Sequence, residues 1–131
     1  MSEYAPVVRE YRPESDRNLI LSSWVRSLDP YPEMDAALFF KEAEATVKAL
    51  LERTTVKVLC LPDYSNVICG WVCFDADTLY FAFVKADYRR MTLGTQLVTK
   101  VAEPKPFHAC KTDKAHFLKL QSQYNPFKFA R

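Results

Sequence analysis

The most reactive side chains in this sequence belong to four cysteines and two histidines. Cys69 and Cys73 are four residues apart, so on one strand we expect them to share a face, but this is not the C-x-x-C spacing of a metal knuckle or a redox pair. His108 and His116 lack a partner pattern for a metal, and no Ser-His-Asp or Cys-His grouping is evident. The sequence therefore predicts no metal site and buried free thiols, Cys60 among them.

Groups that could transfer a proton are few. Asp75 and Asp77 lie in a tight turn, and turn formation explains both of them. Tyr80 could line a substrate pocket or lie in the core with a bonded hydroxyl. His108 could act as a base or be a structural histidine. The strand that follows the turn, Thr78–Val84, contains no acidic residue.

Sequence patterns in the first half of the chain predict one strand and two helices. Apolar and polar side chains alternate along Ala5–Tyr11, which predicts an edge strand. Ser15 or Asp16 can cap a helix that runs to Ser27, and Asp35 can cap a longer helix within Met34–Arg53. The expected apolar stripe of the longer helix is Ala37, Phe40, Ala43 (or Glu44), Val47, Leu50 and Leu51.

The second half predicts a meander followed by a crossover. Its expected elements are the strands Thr55–Leu61, Val67–Phe74 and Thr78–Val84, a helix through Leu93, Leu97, Val98 and Val101, a strand Phe107–Lys111, a helix Asp113–Gln123 and an extended piece Tyr124–Phe129. The helix between the third meander strand and Phe107 makes the pairing of those two strands parallel. The prediction is an α/β (α+β) fold with a mixed sheet, in which an antiparallel meander is followed by a helix and a parallel strand.

This order, together with the stretch Leu79–Val98, resembles the GNAT (Gcn5-related N-acetyltransferase) family. In that family a buried strand ending in Val precedes the motif Arg/Gln-x-x-Gly-x-Gly/Ala, which opens a helix. Here Val84 takes the strand end, Arg89 the first motif position, Thr92 the first glycine position and Gly94 the second.

The sequence has only two glycines, Gly70 and Gly94. Gly70, like Gly94, lies at a position where the family pattern has a glycine. Gly70, in Val67–Val72, matches the glycine of the second meander strand. The alternative is that Gly70 marks a bulge and that Gly94 is a helix-packing glycine in another α/β fold.

The resemblance implies a site for acetyl-CoA at this helix start, because backbone N–H groups at a helix N-terminus bind phosphate and Arg89 and Arg90 add positive charge. The cofactor-binding residues it implies are Val84, Arg89, Arg90, Thr92, Leu93, Gly94 and Thr95. It also implies that the backbone at Val84 polarises the thioester carbonyl and that Tyr124 is the catalytic acid. Thr92 departs from the motif: its hydroxyl could bond a phosphate oxygen, or its Cβ could crowd the pyrophosphate.

A narrower resemblance is to acetyltransferase-like proteins encoded by tailed bacteriophages. It rests on Asn18–Ser27, which contains a Ser-Trp-x-x-Ser core, and on the ending Tyr124-Asn125-Pro126-Phe127. In this fold the first helix borders the acceptor site, so Trp24 could line that site or lie in the core.

Length, composition and charge set the remaining expectations. The 131 residues predict one domain over 1–131, and the sequence predicts a cytoplasmic protein without a signal peptide or a membrane span. A net charge of +2 is well below that of a typical nucleic-acid-binding domain, although lysines are frequent from Lys105 onward. Two functions remain. One is acetyl transfer from a coenzyme A thioester to an amine on a protein or small molecule, and the other is a non-catalytic module that binds a protein.

Overall fold

The structure, a computed structural model, describes residues 6–85, 88, 96–109, 122–125 and 127–128. Its elements in chain order are β1 (Val7–Glu10), α1 (Pro13–Arg26), α2 (Ala36–Arg53), β2 (Thr55–Leu61), β3 (Tyr64–Phe74), β4 (Thr78–Val84), a π-helix (Leu97–Val101), β5 (Phe107–His108) and β6 (Gln123–Tyr124). Among these residues, every helix is too short or too polar to cross a bilayer.

In the described part of the chain, the strands form one sheet of six in the order of the chain. Strands β1 to β4 pair with one another antiparallel, β5 is parallel to β4, and β6 is parallel to β5. The α/β fold with a meander, a following helix and a parallel strand is therefore confirmed. The predicted helix Asp113–Gln123 lies outside the described residues except for its last two, of which Ser122 is not helical and Gln123 belongs to β6.

The first helix begins earlier than predicted. Its N-cap is Arg12 and its first residue is Pro13, whose missing N–H is harmless there because the first turn has no intrahelical acceptor. Asp16, predicted as a cap along with Ser15, lies inside the helix on the buried face that also carries Ile20 and Trp24. The cap prediction was wrong because proline fixes the helix start more strongly than a hydroxyl or carboxylate further along.

The second helix follows its prediction more closely. Asp35 caps it, accepting a hydrogen bond from the Leu38 amide at 3.1 Å. The buried stripe differs in the first turn, where Phe39 is buried and Ala37 is exposed. Spacings of four connect Phe39 to Ala43 and Val47, so the helical period holds once the stripe starts at Phe39.

Strand β3 is longer than predicted and carries a bulge. It begins at Tyr64, because the turn after β2 needs only Pro62 and Asp63. The pairing shifts from Leu59 opposite Gly70 to Cys60 opposite Ile68, which leaves Cys69 as an extra residue.

The bulge overturns the expectation that Cys69 and Cys73 share a face. An extra residue reverses the alternation of side chains beyond it. Cys73 packs with α1 and α2 on one face, while Cys69 packs with the π-helix on the other. Both thiols, and that of Cys60, are free and buried as predicted.

The core therefore lies on both faces of the sheet. The larger cluster joins α1 and α2 to the sheet through Ile20, Trp24, Leu50 and Trp71, among others. The smaller cluster joins the opposite face to the π-helix through Leu97, Val98 and Ala102. This arrangement leaves β4 in the interior of the sheet with packing on both sides, as its apolar sequence predicted.

Candidate functional site

The end of β4 is where the family resemblance predicts the thioester carbonyl to bind. Val84 is the last residue of that strand, and its side chain is buried in the cluster on the π-helix side. It pairs with Gly70 of β3, and the next amide, of Lys85, donates to the carbonyl oxygen of Cys69 at 2.8 Å. The strand end is therefore fastened to β3 up to its last residue.

Gly70 permits this close approach of the two strands. A Cβ at this position would lie 2.5 Å from the carbonyl oxygen of Phe83 and 3.3 Å from the Cα of Val84. Both contacts are with backbone, which cannot withdraw without disturbing the pairing of β3 with β4. Gly70 also follows the bulged Cys69, so the interpretation of Gly70 as marking a bulge agrees with the pairing of β2 with β3.

A second bulge lies in β4 itself. Phe74 of β3 pairs with Leu79, whereas Cys73 pairs with Phe81, so Tyr80 is the extra residue. On the other side of β4 the described parallel pairs with β5 are at Thr78 and Leu79. A bulge bends the strand that carries it, so β4 changes direction directly after these two pairs.

Tyr80 and Asp75 form a buried polar contact beside the bulge. The Tyr80 hydroxyl donates to Asp75 Oδ2 at 2.6 Å, and Asp75 Oδ1 accepts the amides of Asp77 and Thr78 at 3.1 and 3.0 Å. Burial and this hydrogen bond raise the pKa of Tyr80, whose ring also lies 5.7 Å from the Arg53 guanidinium carbon. Asp75 is thus a turn former, as predicted, and Tyr80 is a core residue with a satisfied hydroxyl.

Asp77 is an ionised carboxylate with two partners of its own. The Thr78 hydroxyl donates to Oδ1 at 2.6 Å, and the Lys128 amine donates to Oδ2 at 3.0 Å. Together these hydrogen bonds hold the pKa of Asp77 at about 2. A carboxylate stabilised in this way is a poor general base near neutral pH.

His108 lies on β5 in contact with the end of the chain. Its Nδ1 is 2.9 Å from Ser122 Oγ, and its ring centroid is 5.8 Å from that of Tyr124. Burial lowers the pKa of His108, so the ring is neutral at pH 7. Tyr124 is 45% exposed, which leaves much of its ring accessible from outside.

The two described site residues of the sequence prediction, Val84 and Tyr124, are not brought together by the strand ladder. Tyr124 pairs with His108, and His108 pairs with Leu79. Leu79 precedes Val84 by five residues of β4, a distance of roughly 16 Å along a strand. The structure places Tyr124 at the level where the β4–β5 pairing begins, away from the end of β4.

The other predicted site residues, Arg89, Arg90, Thr92, Leu93, Gly94 and Thr95, lie outside the described residues. Trp24 is described and fully buried, with its ring 5.4 Å from that of Trp71 and 5.1 Å from that of Phe81. The core interpretation of Trp24 is the one that the structure supports. In the described part of the chain, no group of His, Cys, Asp or Glu side chains could hold a metal ion.

Sequence reasoning missed Lys128 and Ser122. Lys128 stands among several lysines of the C-terminal stretch, and nothing in its neighbours marks it as the one that is buried at 3% exposure. Ser122 fell at the end of a predicted helix, so its contact with His108 could not be foreseen. Both contacts depend on where the chain returns to the sheet, which no local pattern encodes.

Comparison with known proteins finds similarity at the level of three-dimensional structure. No protein-family model matches the sequence, and none of the curated proteins matches it. The structure is similar to a GCN5-related N-acetyltransferase, described as an aminotransferase of class II, from Rhodopseudomonas palustris, with 23% identity and a TM-score of 0.59 over 91% of this chain and 81% of that one.

Two further solved structures are similar. Apo YjaB from Escherichia coli has 20% identity and a TM-score of 0.53, over 74% of this chain and 63% of YjaB. A GCN5-related glucosamine N-acetyltransferase region of a fungal multi-domain GH3 β-N-acetylglucosaminidase has 18% identity and a TM-score of 0.57, over 92% of this chain and 16% of the fungal chain. With the meander and the parallel β4–β5 pairing, these likenesses establish that the chain has the GCN5-related N-acetyltransferase fold.

Proposed function

We propose that this protein binds an acyl-coenzyme A and transfers the acetyl group of acetyl-CoA to an amine. The observation that carries the proposal is the bulge at Tyr80, placed directly after the parallel pairs of Thr78 and Leu79 with β5. A bend at that point would turn β4 away from the line of β5 and would make room for an extended thioester ligand between the two strands.

The rest of the proposed site follows from the sequence. Val84 ends the bent strand, and its backbone would polarise the thioester carbonyl. Arg89, Arg90, Thr92, Leu93, Gly94 and Thr95 would hold the pyrophosphate at the start of the next helix. Tyr124 remains a proposed proton donor. Because a tyrosine side chain is much shorter than the roughly 16 Å between the levels of Leu79 and Val84, this role would require the thiolate to lie near the level of Leu79.

We also propose that the whole chain is one domain and that it works in a cytoplasm, which would be that of a host cell if the resemblance to bacteriophage proteins reflects its origin. The buried free thiols Cys60, Cys69 and Cys73 suit a reducing compartment. The acceptor would then be an amine on a host protein or metabolite.

Calorimetric titration with acetyl-CoA tests cofactor binding. We expect saturable binding of acetyl-CoA to the unaltered chain. In Arg89→Ala/Gly94→Glu we expect affinity reduced about tenfold or more, because the variant loses a cation that would pair with the phosphates and gains a carboxylate that repels them. Arg26→Ala, at an exposed arginine in the last turn of α1, is the matched control and should bind as the unaltered chain does. S-Acetylpantetheine, which lacks the pyrophosphate, should bind weakly to all three proteins.

Absence of a binding isotherm at about 1 mM acetyl-CoA would rule out this function, because typical enzyme substrates half-saturate at or below that concentration. Equal binding by the control and the Arg89→Ala/Gly94→Glu variant would instead place the phosphates elsewhere.

A second candidate is a non-catalytic module that binds a protein partner, with or without coenzyme A. The observation that favours it is that both oxygens of Asp75 and both of Asp77 already accept hydrogen bonds, so neither carboxylate is available as a base. Thr92 at a glycine position of the motif points the same way. Acetyl-CoA binding without release of free thiol in a screen of amine acceptors would favour this module over the enzyme.

A further inference from the structure

The amine of Lys128 lies at the start of the β4–β5 pairing. The residue is 3% exposed, which is unusual for a lysine unless its charge is paired. Its Nζ is 3.0 Å from Asp77 Oδ2 and 4.4 Å from the centroid of the Phe107 ring. Asp77 directly precedes β4 and Phe107 is the first residue of β5, so the Lys128 amine links the start of one strand to the start of the other.

Backbone hydrogen bonds join β4 and β5 at the same place as the Lys128 contacts. The Phe107 amide donates to the carbonyl oxygen of Asp77 at 3.1 Å, and the Ala109 amide donates to that of Leu79 at 2.9 Å. Asp77 is fixed further by the Thr78 hydroxyl. The Lys128 contacts therefore reinforce the same junction that these two backbone hydrogen bonds make.

The end of the chain is held so that Lys128 reaches this junction. The Asn125 amide donates to the His108 carbonyl oxygen at 2.9 Å, which ties the segment to β5. The amides of Phe127 and Lys128 donate to Asn125, one to its side chain at 3.1 Å and one to its carbonyl at 3.2 Å. This tight turn leaves Phe127 79% exposed while Lys128 points inward.

We propose that Lys128 is a positioning residue that fixes β4 against β5 at Asp77 and Phe107 and so sets the width of the acyl-CoA site between the two strands. The statement about the site rests on the proposed function, whereas the fastening of the strands does not. Ion pairing and the cation–π contact are both strengthened by exclusion of water from the amine, and both are lost when the charge is removed.

Amide hydrogen exchange tests the fastening without any ligand. In Lys128→Met, which keeps an unbranched apolar stem of similar length, the amides of Phe107 and Ala109 should exchange about tenfold faster. The Lys85 amide, which bonds β3 instead, should keep its rate and so separates a local effect from a loss of global stability. Lys48→Met, at an exposed lysine of α2, is the control variant.

A double-mutant cycle tests whether Asp77 is the partner. Asp77→Asn should accelerate exchange at Phe107 and Ala109, and adding Asp77→Asn to Lys128→Met should accelerate it little further, because both changes break one contact. Acetyl-CoA titration of the same variants should show affinity reduced about tenfold by Lys128→Met and unchanged by Lys48→Met.

The outcomes separate the two claims. Unchanged exchange at Phe107 and Ala109 in Lys128→Met would overturn the fastening role. Faster exchange with unchanged acetyl-CoA affinity would overturn the role in the site. If the unaltered chain does not bind acetyl-CoA, the proposed function and the claim about site width both fail, while faster local exchange would still support the fastening of β4 to β5.

Discussion

Among the described residues, Gly70 is one whose identity the fold constrains directly. The carbonyl of Phe83 and the Cα of Val84 occupy the space that any side chain would need. The constraint acts on the end of β4, where the proposed site begins. A single methyl group at this position therefore tests the packing of β3 against β4.

We predict that Gly70→Ala lowers the free energy of unfolding by about 2 kcal/mol, because a contact of 2.5 Å with backbone forces β3 and β4 apart. Urea denaturation measures this change. Asn66→Ala, at an exposed position of the same strand, should alter stability by no more than about 0.5 kcal/mol. If Gly70→Ala were as stable as the unaltered chain, the close approach at Phe83 would be wrong.

At the scale of elements, the buried ion pair of Arg9 and Asp16 fastens β1 to α1. The two guanidinium nitrogens lie 2.7 and 2.8 Å from the two carboxylate oxygens, and the Arg12 amide donates to Asp16 at 2.8 Å. The side chains are 10% and 2% exposed. Burial alone would raise the pKa of Asp16, but the hydrogen bonds from Arg9 and Arg12 lower it overall.

We predict that Asp16→Ala costs about 3 kcal/mol of stability, because it leaves the Arg9 guanidinium largely buried without its carboxylate. Arg9→Met/Asp16→Leu should recover much of this loss, since it removes both charges and fills their place with apolar side chains of similar shape. Urea denaturation of both variants is compared with Glu14→Ala, an exposed acidic residue in the same first turn. A double variant no more stable than Asp16→Ala would contradict the charge argument.

The sequence predicts most elements of this fold because their patterns are local. The bounds of β2 and β4 match their predictions, and Asp35 caps α2, since alternation, helical period and capping depend on neighbouring residues. Only Gly70, as one of two alternatives, pointed to a bulge near Cys69, and nothing in the sequence predicted the bulge at Tyr80, because bulges arise from register between strands. They matter for function, since one changes the face of Cys69 and the other bends β4 beside the proposed site.

The candidate site was predictable in part for the same reason. Val84 ends β4 as predicted and pairs with Gly70 of β3. Lys128 and Ser122 enter through contacts across the sheet from the end of the chain, so their roles depend on tertiary structure alone.

For the molecule as a whole, the buried His108 links stability to pH. It is 5% exposed, and burial lowers its pKa below the usual value of about 6.5. As the pH falls through about 6.5, the unfolded chain binds a proton that the folded chain does not bind. The free energy of unfolding should therefore decrease between about pH 7.5 and 5.5, with a slope from this group of at most about 1.4 kcal/mol per pH unit.

Urea denaturation at pH 7.5 and 5.5 measures this loss, in a window above the usual pKa of carboxylates and below that of thiols. His108→Gln keeps a hydrogen-bonding side chain beside Ser122 and cannot titrate, so its stability should change less between the two pH values. His116→Gln is the matched control, because it removes the other histidine of the sequence and should leave the His108 contribution intact. An unaltered pH dependence in His108→Gln would mean that another group titrates, whereas a gain of stability on acidification of the unaltered chain would contradict a histidine that is neutral in the folded state.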